Sequence, residues 1–590
     1  MSSQAIAEAG PASRGEVSRE DTRGNPPILA ALVSGLGLWC AFPPANWGWL
    51  AWVALVPLFS LIPSTRSRIS VYFSAWAGGF LFWLASIYWV SLTDDEGWFA
   101  WVVMALALSF WWPAFLGLAR LAVLRLRLPR IIAAPVIWVG LEFARAHILT
   151  GFAWYYLGHT QHQILPIIQI ADITGALGIS FLVALVNACV ADLWASPLFE
   201  TNSDRPRIRR SQLIRAGVVA ALLVATVGYG YFRIATARFH DGPRLALMQS
   251  NLEQRLKMSD SSAYILSVYQ SLVERCLRSS PTPDLIVWPE TAYPYPYVVR
   301  DPKLVPAEFE RQAKRLSQRG SRHDFDPVKV WTDRLKDSEV LHQIVNQSRI
   351  PMLVGVLVYD FHTGGPSKFN SALLIEPPVR TLQRYAKMHL VPFGEYVPLI
   401  GLFPWLTILT PFDATNIPSL TSGTQPTCFT LGPYRYANAI CFEDTVPQAV
   451  RRFFAEAPDG RSPDVLLNIS NDGWFQGSSE HDVHLAISVF RAVEHRVPLA
   501  RAVNMGISAL IDGNGRVLST VPKKTEGVLT VTVPLDDRRT LYSAWGDWLG
   551  SACLTATAAL FVVGTGLGLK RWKTSQPGLT QMSTSTPAGL

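Results

Sequence analysis

A bundle of membrane-spanning helices joined to an α/β globular domain is the fold class this sequence predicts, from three observations. Charged residues are only 16% of the 590, where soluble domains carry about 25%. Tryptophan reaches 21 copies and mean hydropathy is +0.21, which is more apolar surface than one soluble core hides. Between Pro27 and Ala119 the only charges are Arg66, Arg68, Asp94, Asp95 and Glu96, whereas the stretch from about 240 to 540 is mixed and polar. Gly and Pro at 41 each exclude a collagen-like chain, and six scattered cysteines are too few for a disulfide framework.

Crossing a hydrocarbon core of about 30 Å takes roughly 20 helical residues. Apolar runs near 28–43, 47–63, 70–92, 97–119, 131–149, 175–195, 214–235 and 544–569 give about eight candidate spans. With the N-terminus inside, one face collects Arg66 and Arg68, then Arg120, Arg125, Arg127 and Arg130, then Arg205 to Arg215, then Lys570, Arg571 and Lys573. Cytoplasmic loops retain such charge, so both termini are expected inside and the globular part outside. The net charge of +8 is explained by topology, and no nucleic acid is implied. Residues 1–27 and 573–590 read as loose cytoplasmic tails, 28–236 as seven spans, 237–540 as the globular domain and 541–572 as the last span.

In the globular part short β-rich runs alternate with helical ones: 244–248, 284–288, 352–359, 371–375, 435–440 and 465–469, with helices near 262–278 and 482–495. Such alternation argues an α/β layered domain. The charge-dense stretch 299–340 reads as a solvated insertion. Three runs end in reactive groups: LIVWPET with Glu290, RYAKMHLVPFGEY with Lys387 and Glu395, and NAICFEDTVP with Cys441 and Glu443. Side chains at the ends of buried strands converge on one site. A thiol becomes a nucleophile when a carboxylate takes its proton and a cation stabilises the thiolate. The ammonium can also hold the oxyanion of acyl transfer, a role worth about 3 to 4 kcal/mol, and the product would be a thioester on Cys441.

These segments resemble the nitrilase (carbon-nitrogen hydrolase) superfamily and, within it, the bacterial apolipoprotein N-acyltransferases. The resemblance rests on WPET at 288–291, Lys387 with LVPFGEYVP at 390–398, ICFE at 440–443, NISNDGWF at 468–475 and RAVEHRVPLARAVNMGIS at 491–508. GFAW at 151–154, LG at 157–158 and QIADITGALGIS at 169–180 extend it into the helical part. It implies a four-layer αββα sandwich outside an inner membrane. It also implies a triad of Glu290 as base and acid, Lys387 as oxyanion stabiliser and Cys441 as nucleophile. Glu395 would fix Lys387, Glu443 would be a further essential carboxylate, and Asn370 with Ser371 match an NS pair near the site. The implied reaction moves an acyl chain from a phospholipid, usually phosphatidylethanolamine, to the α-amine of a diacylated apolipoprotein, with no cofactor and no metal. Two positions depart from the family: Phe442 replaces a common Tyr, deleting a hydroxyl, and Met258 stands where a Trp is frequent, apolar enough to line a lipid pocket.

Other readings stand beside these. Cys441 could instead be structural, or pair with Cys428. His481, His484 and His495 with Glu480 and Glu494 lack HExxH spacing and read as solvated or packing residues. The uncharged stretch Leu399 to Phe412, with Trp405 and Leu406, reads as core or as an apolar arm to the bilayer, and Tyr293, Tyr295 and Tyr297 as flanking the same lipid access. A membrane-tethered amidase on small amides and an inactive lipoprotein-binding scaffold are the rival functions.

Overall fold

The computed structural model describes residues 26–574 apart from 96, 201–206, 258–260, 319–326, 380–381, 410–418 and 457–459. The two expected tails lie almost wholly outside the described residues, as do Met258 and the end of the apolar arm.

The helical part contains α1 (Pro27–Ala41), α2 (Arg68–Ser86), α3 (Gly97–Arg125), α4 (Arg130–Arg145), α5 (Ala176–Ala195) and α6 (Arg210–Ala235). Five of the eight expected runs are helices long and apolar enough to cross a membrane: α2, α3, α5, α6 and, after the globular part, Trp548–Leu567. The other three are shorter or broken, for local reasons. The 15-residue α1 ends just before Pro43 and Pro44. The run near 47–63 is divided into Gly48–Leu50, Ala51–Ala54 and Val56–Ser60, because Pro57 lacks an N–H and its ring clashes with a continuing helix. The 16-residue α4 has arginines at both ends. Close packing of α1 on α2 needs small residues: a Cβ on Gly78 would meet the Ala31 carbonyl oxygen at 2.4 Å. By contrast α6 exposes Leu213, Ile214, Val218, Val224 and Tyr231, an apolar face that fits lipid.

The bundle has two chemically different ends. At the start of α5 the Ala176 N–H donates to Glu494 of the globular part at 3.0 Å. Asp192, 16 residues on and hence roughly 24 Å away, pairs with Arg130 at 2.9 Å and Arg215 at 3.2 Å. Arg120 donates to the carbonyls of Leu61, Ile62 and Ser64. Arg120, Arg130 and Arg215 therefore gather at the end far from the globular part, whereas Arg145 and Arg233 lie at the near end.

The globular strands are β1 (Phe239–Gln249), β2 (Leu285–Val287), β3 (Tyr297–Arg300), β4 (Met352–His362), β5 (Gly365–Ile375), β6 (Leu382–Ala386), β7 (Phe429–Leu431), β8 (Tyr434–Ile440), β9 (Val465–Asn471), β10 (Leu499–Asn504), β11 (Ser508–Ile511), β12 (Val517–Val521) and β13 (Gly527–Asp536). They form two mixed sheets, ordered β13-β1-β2-β4-β5-β6, with β3 also on β4, and β12-β11-β10-β9-β8-β7. The two-residue period of a strand sorts the side chains. Leu245, Leu247, Leu285 and Val287 join Tyr436, Ala437 and Leu467 of the other sheet in one core. Their neighbours Ala246, Met248 and Ile286 pack instead on helices α7 (Ser262–Leu277) and, after α8 (Pro306–Gln318), α9 (Pro327–Ser348). Helices α10 (Pro447–Ala455) and α11 (Glu480–His495) pack against the second sheet, and α12 (Trp548–Thr574) ends the described chain.

The stretch 299–340 differs from the expected solvated insertion. Val298, Leu304, Phe309, Ala313, Trp331 and Phe361 close a small apolar core between β3, α8 and β4, so its charges are the outer faces of amphipathic helices.

One buried ion pair locks the two parts together. Arg496, fully buried at the end of α11, donates to Asp172 at 2.8 and 3.1 Å and to Gln169 at 2.5 Å. Arg233 of α6 reaches the same Asp172 oxygen at 2.7 Å. Asp172→Ala, which strips both guanidinium groups of their carboxylate, is expected to cost about 3–5 kcal/mol, read as a lowered unfolding midpoint of the purified protein.

Candidate active site

The parallel pairs β1-β2-β4 and β8-β9-β10 bring the ends of several strands to one place. Glu290 lies three residues beyond β2, Lys387 one beyond β6 and Cys441 one beyond β8. The turn carrying Glu290 sits directly on β4, where a Cβ on Gly355 would meet the Pro289 carbonyl oxygen at 2.2 Å. Only glycine lets the two backbones approach so closely.

Lys387 is fully buried between two carboxylates. Its Nζ lies 3.2 Å from Glu290 Oε1 and 2.9 Å from Glu395 Oε2. Asn370 donates its Nδ2 to both, at 2.7 Å to Glu290 and 2.9 Å to Glu395. Backbone N–H groups complete the frame, from Asn471 to Glu290 Oε2 at 2.9 Å and from Val391 to Glu395 Oε2 at 2.7 Å. Burial alone would discharge the ammonium, but Glu290 and Glu395 outweigh it and hold the Lys387 pKa above its ordinary value. A lysine that stays charged is a donor and not a base.

Cys441 opens a short turn, Cys441–Thr445, with its own φ at +52°, a left-handed conformation that costs a non-glycine residue about 1–3 kcal/mol. Glu443 anchors that turn. It accepts from Tyr385 Oη at 2.8 Å, from the N–H groups of Met388 at 2.7 Å and His389 at 3.0 Å, and from Ile440 at 2.8 Å. Burial pushes its carboxyl up to about 7. It therefore ties the β6 end bearing Lys387 to the β8 end bearing Cys441. The half-buried Cys441 thiol is pushed up by burial and by Glu290, against the opposing pull of Lys387. None of the six cysteines, Cys428 included, is in a disulfide.

Beneath the turn lies a buried network that the sequence did not reveal. Asp444 accepts from His484 Nε2 at 2.7 Å, Ser488 at 2.5 Å and Arg501 Nη1 at 3.0 Å. Burial and Arg501 push His484 down, but Asp444 and Asp472 prevail and raise it to about 10. Asp472, Glu480 and His481 present ligand atoms within 4.8 Å of one another. Arg501 Nη2 lies 3.7 Å from Asp472 Oδ2 and would repel a cation, so the group is an ion-pair network. The histidines expected to be solvated or packing are buried: His484 and His481 lie in this network, and His495 stacks on Phe454 at 3.9 Å. An arginine inside the apolar strand LARAVN was the available signal.

Other expected residues fall in three places. Phe442 stacks on His389 at 5.7 Å, so the ring serves in packing. Tyr293 and Tyr297 do not flank an opening. They are buried against α9, donating to the Asp337 carbonyl and bonding His342 at 3.1 Å, with Tyr295 edge-on to Tyr293, because the insertion covers them. Trp405 is 65% and Leu402 72% exposed, with Leu406 half-buried, so the described arm is outside the core, next to α3. Ser371 is buried beside Asn370. A residue missed in the sequence is Lys257, whose Nζ reaches the Glu290 carbonyl at 3.4 Å and Thr291 at 3.3 Å, lowered by burial to about 8.

Known proteins match both parts of the chain. The apolipoprotein N-acyltransferase N-terminal domain matches residues 34–189, and the carbon-nitrogen hydrolase domain matches 244–542. An apolipoprotein N-acyltransferase of Geobacter metallireducens is 31% identical, covering 90% of this chain and 94% of that protein. One of Chlorobaculum tepidum is 30% identical over 94% of this chain and 98% of its own length. With both domains matched in order and the likeness running nearly end to end, the chain belongs to the apolipoprotein N-acyltransferase family of the carbon-nitrogen hydrolase superfamily.

Proposed function

We propose that this protein moves one acyl chain from a phospholipid, phosphatidylethanolamine being the expected donor, through a thioester on Cys441 to the N-terminal amine of an S-diacylglyceryl-cysteine apolipoprotein. The observation that carries the reading is Lys387, buried and charged between Glu290 and Glu395 and electrostatically coupled to Cys441. Family membership supplies the acceptor class. Glu290 takes the thiol proton and the thiolate attacks the donor's ester carbonyl. The C=O electron pair moves to oxygen, where the Lys387 ammonium holds it. Collapse breaks the ester C–O bond, and the leaving glycerol oxygen takes the proton from Glu290, releasing lysophospholipid. The acceptor amine then attacks the thioester, its proton passes to Glu290, and the departing Cys441 thiolate recovers it.

Glu395, Asn370 and Glu443 are positioning residues in this scheme, acting through Lys387, Glu290 and the Cys441 turn. The site belongs on the outer face of a bacterial inner membrane, with both termini cytoplasmic and 237–540 as the periplasmic catalytic domain. The arginines Arg120, Arg130 and Arg215, gathered at the far end of the bundle, support that orientation. The exposed arm at Leu402, Phe403 and Trp405 supports a lipid donor over a small amide, and water excluded there would spare the thioester.

Incubation of the purified protein with phosphatidylethanolamine is expected to add one acyl chain to the Cys441 peptide, removable by hydroxylamine and absent in Cys441→Ala. Loading by a small amide and by no phospholipid would establish the amidase instead. Lys387→Met should slow loading about 10²–10³-fold, measured as single-turnover thioester formation. Trp405→Asp should slow loading from lipid vesicles while leaving iodoacetamide labelling of Cys441 unchanged; equal loading would remove the arm from the mechanism.

A further inference from the structure

Strands β8 and β9 run parallel with Ile440 opposite Ile469, so the next pair in register is Cys441 and Ser470. Asn468 holds the backbone there, donating its Nδ2 to the Cys441 carbonyl at 3.2 Å. The fully buried Ser470 hydroxyl has two neighbours. It donates to Asp472 Oδ1 at 2.5 Å, and by register it lies next to Cys441, whose thiol pKa it pulls down against burial. A hydroxyl carries one proton, so it serves one acceptor at a time.

We propose that Ser470 is a further catalytic residue, a two-position donor that Asp472 holds while Cys441 is a thiol and that turns to Cys441 Sγ whenever the sulfur is a thiolate. This rests on the reading of Cys441 as the nucleophile. No covalent bond changes: one O–H hydrogen bond moves from a carboxylate to a thiolate as the thiol proton goes to Glu290, and moves back when the sulfur is acylated or reprotonated.

Asp472 can release the hydroxyl because other donors wait beside it. Its Oδ2, His484 Nδ1 and Arg501 Nη2 are buried and make no hydrogen bond among the described residues. Yet Nδ1 lies 3.4 Å and Nη2 3.7 Å from that oxygen. With His484 raised to about 10, both are charged donors at neutral pH. Asp472 is held below the usual carboxylate range, because His484 and Arg501 outweigh its burial, so it stays an anion throughout. It is a positioning residue, acting through Ser470. The charged groups facing Cys441 are Glu290 beyond β2, Lys387 beyond β6 and Asp472 beyond β9, with Glu443 of its own turn facing Lys387.

The test is iodoacetamide alkylation of the full-length protein, followed on the Cys441 peptide by mass spectrometry. At a fixed pH below the thiol pKa the rate follows the thiolate fraction, so tenfold in rate is one pKa unit. Ser470→Ala is expected to slow alkylation about tenfold. Ser470→Thr, which keeps the hydroxyl, should restore it, and Asp472→Asn, which removes a negative charge near sulfur, should speed it. A structural role alone would move all three in one direction with the unfolding midpoint. An unchanged rate in Ser470→Ala overturns the proposal; if that variant does not fold, Asp472→Asn no faster than the parent overturns it. No lipid is needed. Normal rate shifts with no phospholipid loading would sink the acyl-transfer reading alone, and normal loading without the shifts would sink this one alone.

Discussion

The site depends on the burial of one ammonium. An isolated charge in a protein interior costs several kcal/mol, and Lys387 is tolerated because Glu290 and Glu395 flank it and Asn370 bonds both. Those groups come from four separate chain segments, so the charge can be satisfied only when β2, β5, β6 and the following loop have all reached their places. The same requirement that makes the lysine stable fixes the geometry of the site. Glu443 extends the frame to the second sheet, by accepting N–H groups from both sides of the gap between Lys387 and Cys441.

A second layer of charge connects this frame to the helical bundle. Asp444, on the Cys441 turn, is neutralised by His484 and Arg501. Its neighbour Thr445 accepts from Trp154 of the GFAW segment at 3.1 Å. Trp89 packs edge-on to Phe475 at 4.9 Å and bonds Tyr155 at 3.0 Å. With Arg496 and Asp172 on the other flank, the bundle grips the globular domain on the side where Cys441 sits. The surroundings of the Cys441 turn are therefore set jointly by both parts of the chain.

Much of this was legible beforehand, and the reasons are local. Low charge with long apolar runs is a property of segments, and five of the eight runs are span-length helices; Pro43, Pro44 and Pro57 explain two of the three shorter cases. Glu290, Lys387 and Cys441 were readable because each follows an apolar strand within three residues. The tyrosines after WPET were misplaced because their cover comes from the insertion about 40 residues later, whose amphipathic faces look solvated when charges are counted without their period. The pairing of Ser470 with Cys441 was not readable, since it follows from which strands are neighbours.

The sequence by itself determined the division into an apolar helical part and a polar α/β part, the reactive strand ends and the family, because composition, periodicity and motif order are carried by residues close together. Only the tertiary structure decided that Lys387 is charged, that Cys441 lies in a left-handed turn, and that Asp444, Asp472, His484 and Arg501 form one neutralised group. Those properties arise from distances between segments far apart in the chain, and electrostatic energy depends on such distances and on burial rather than on order along the sequence.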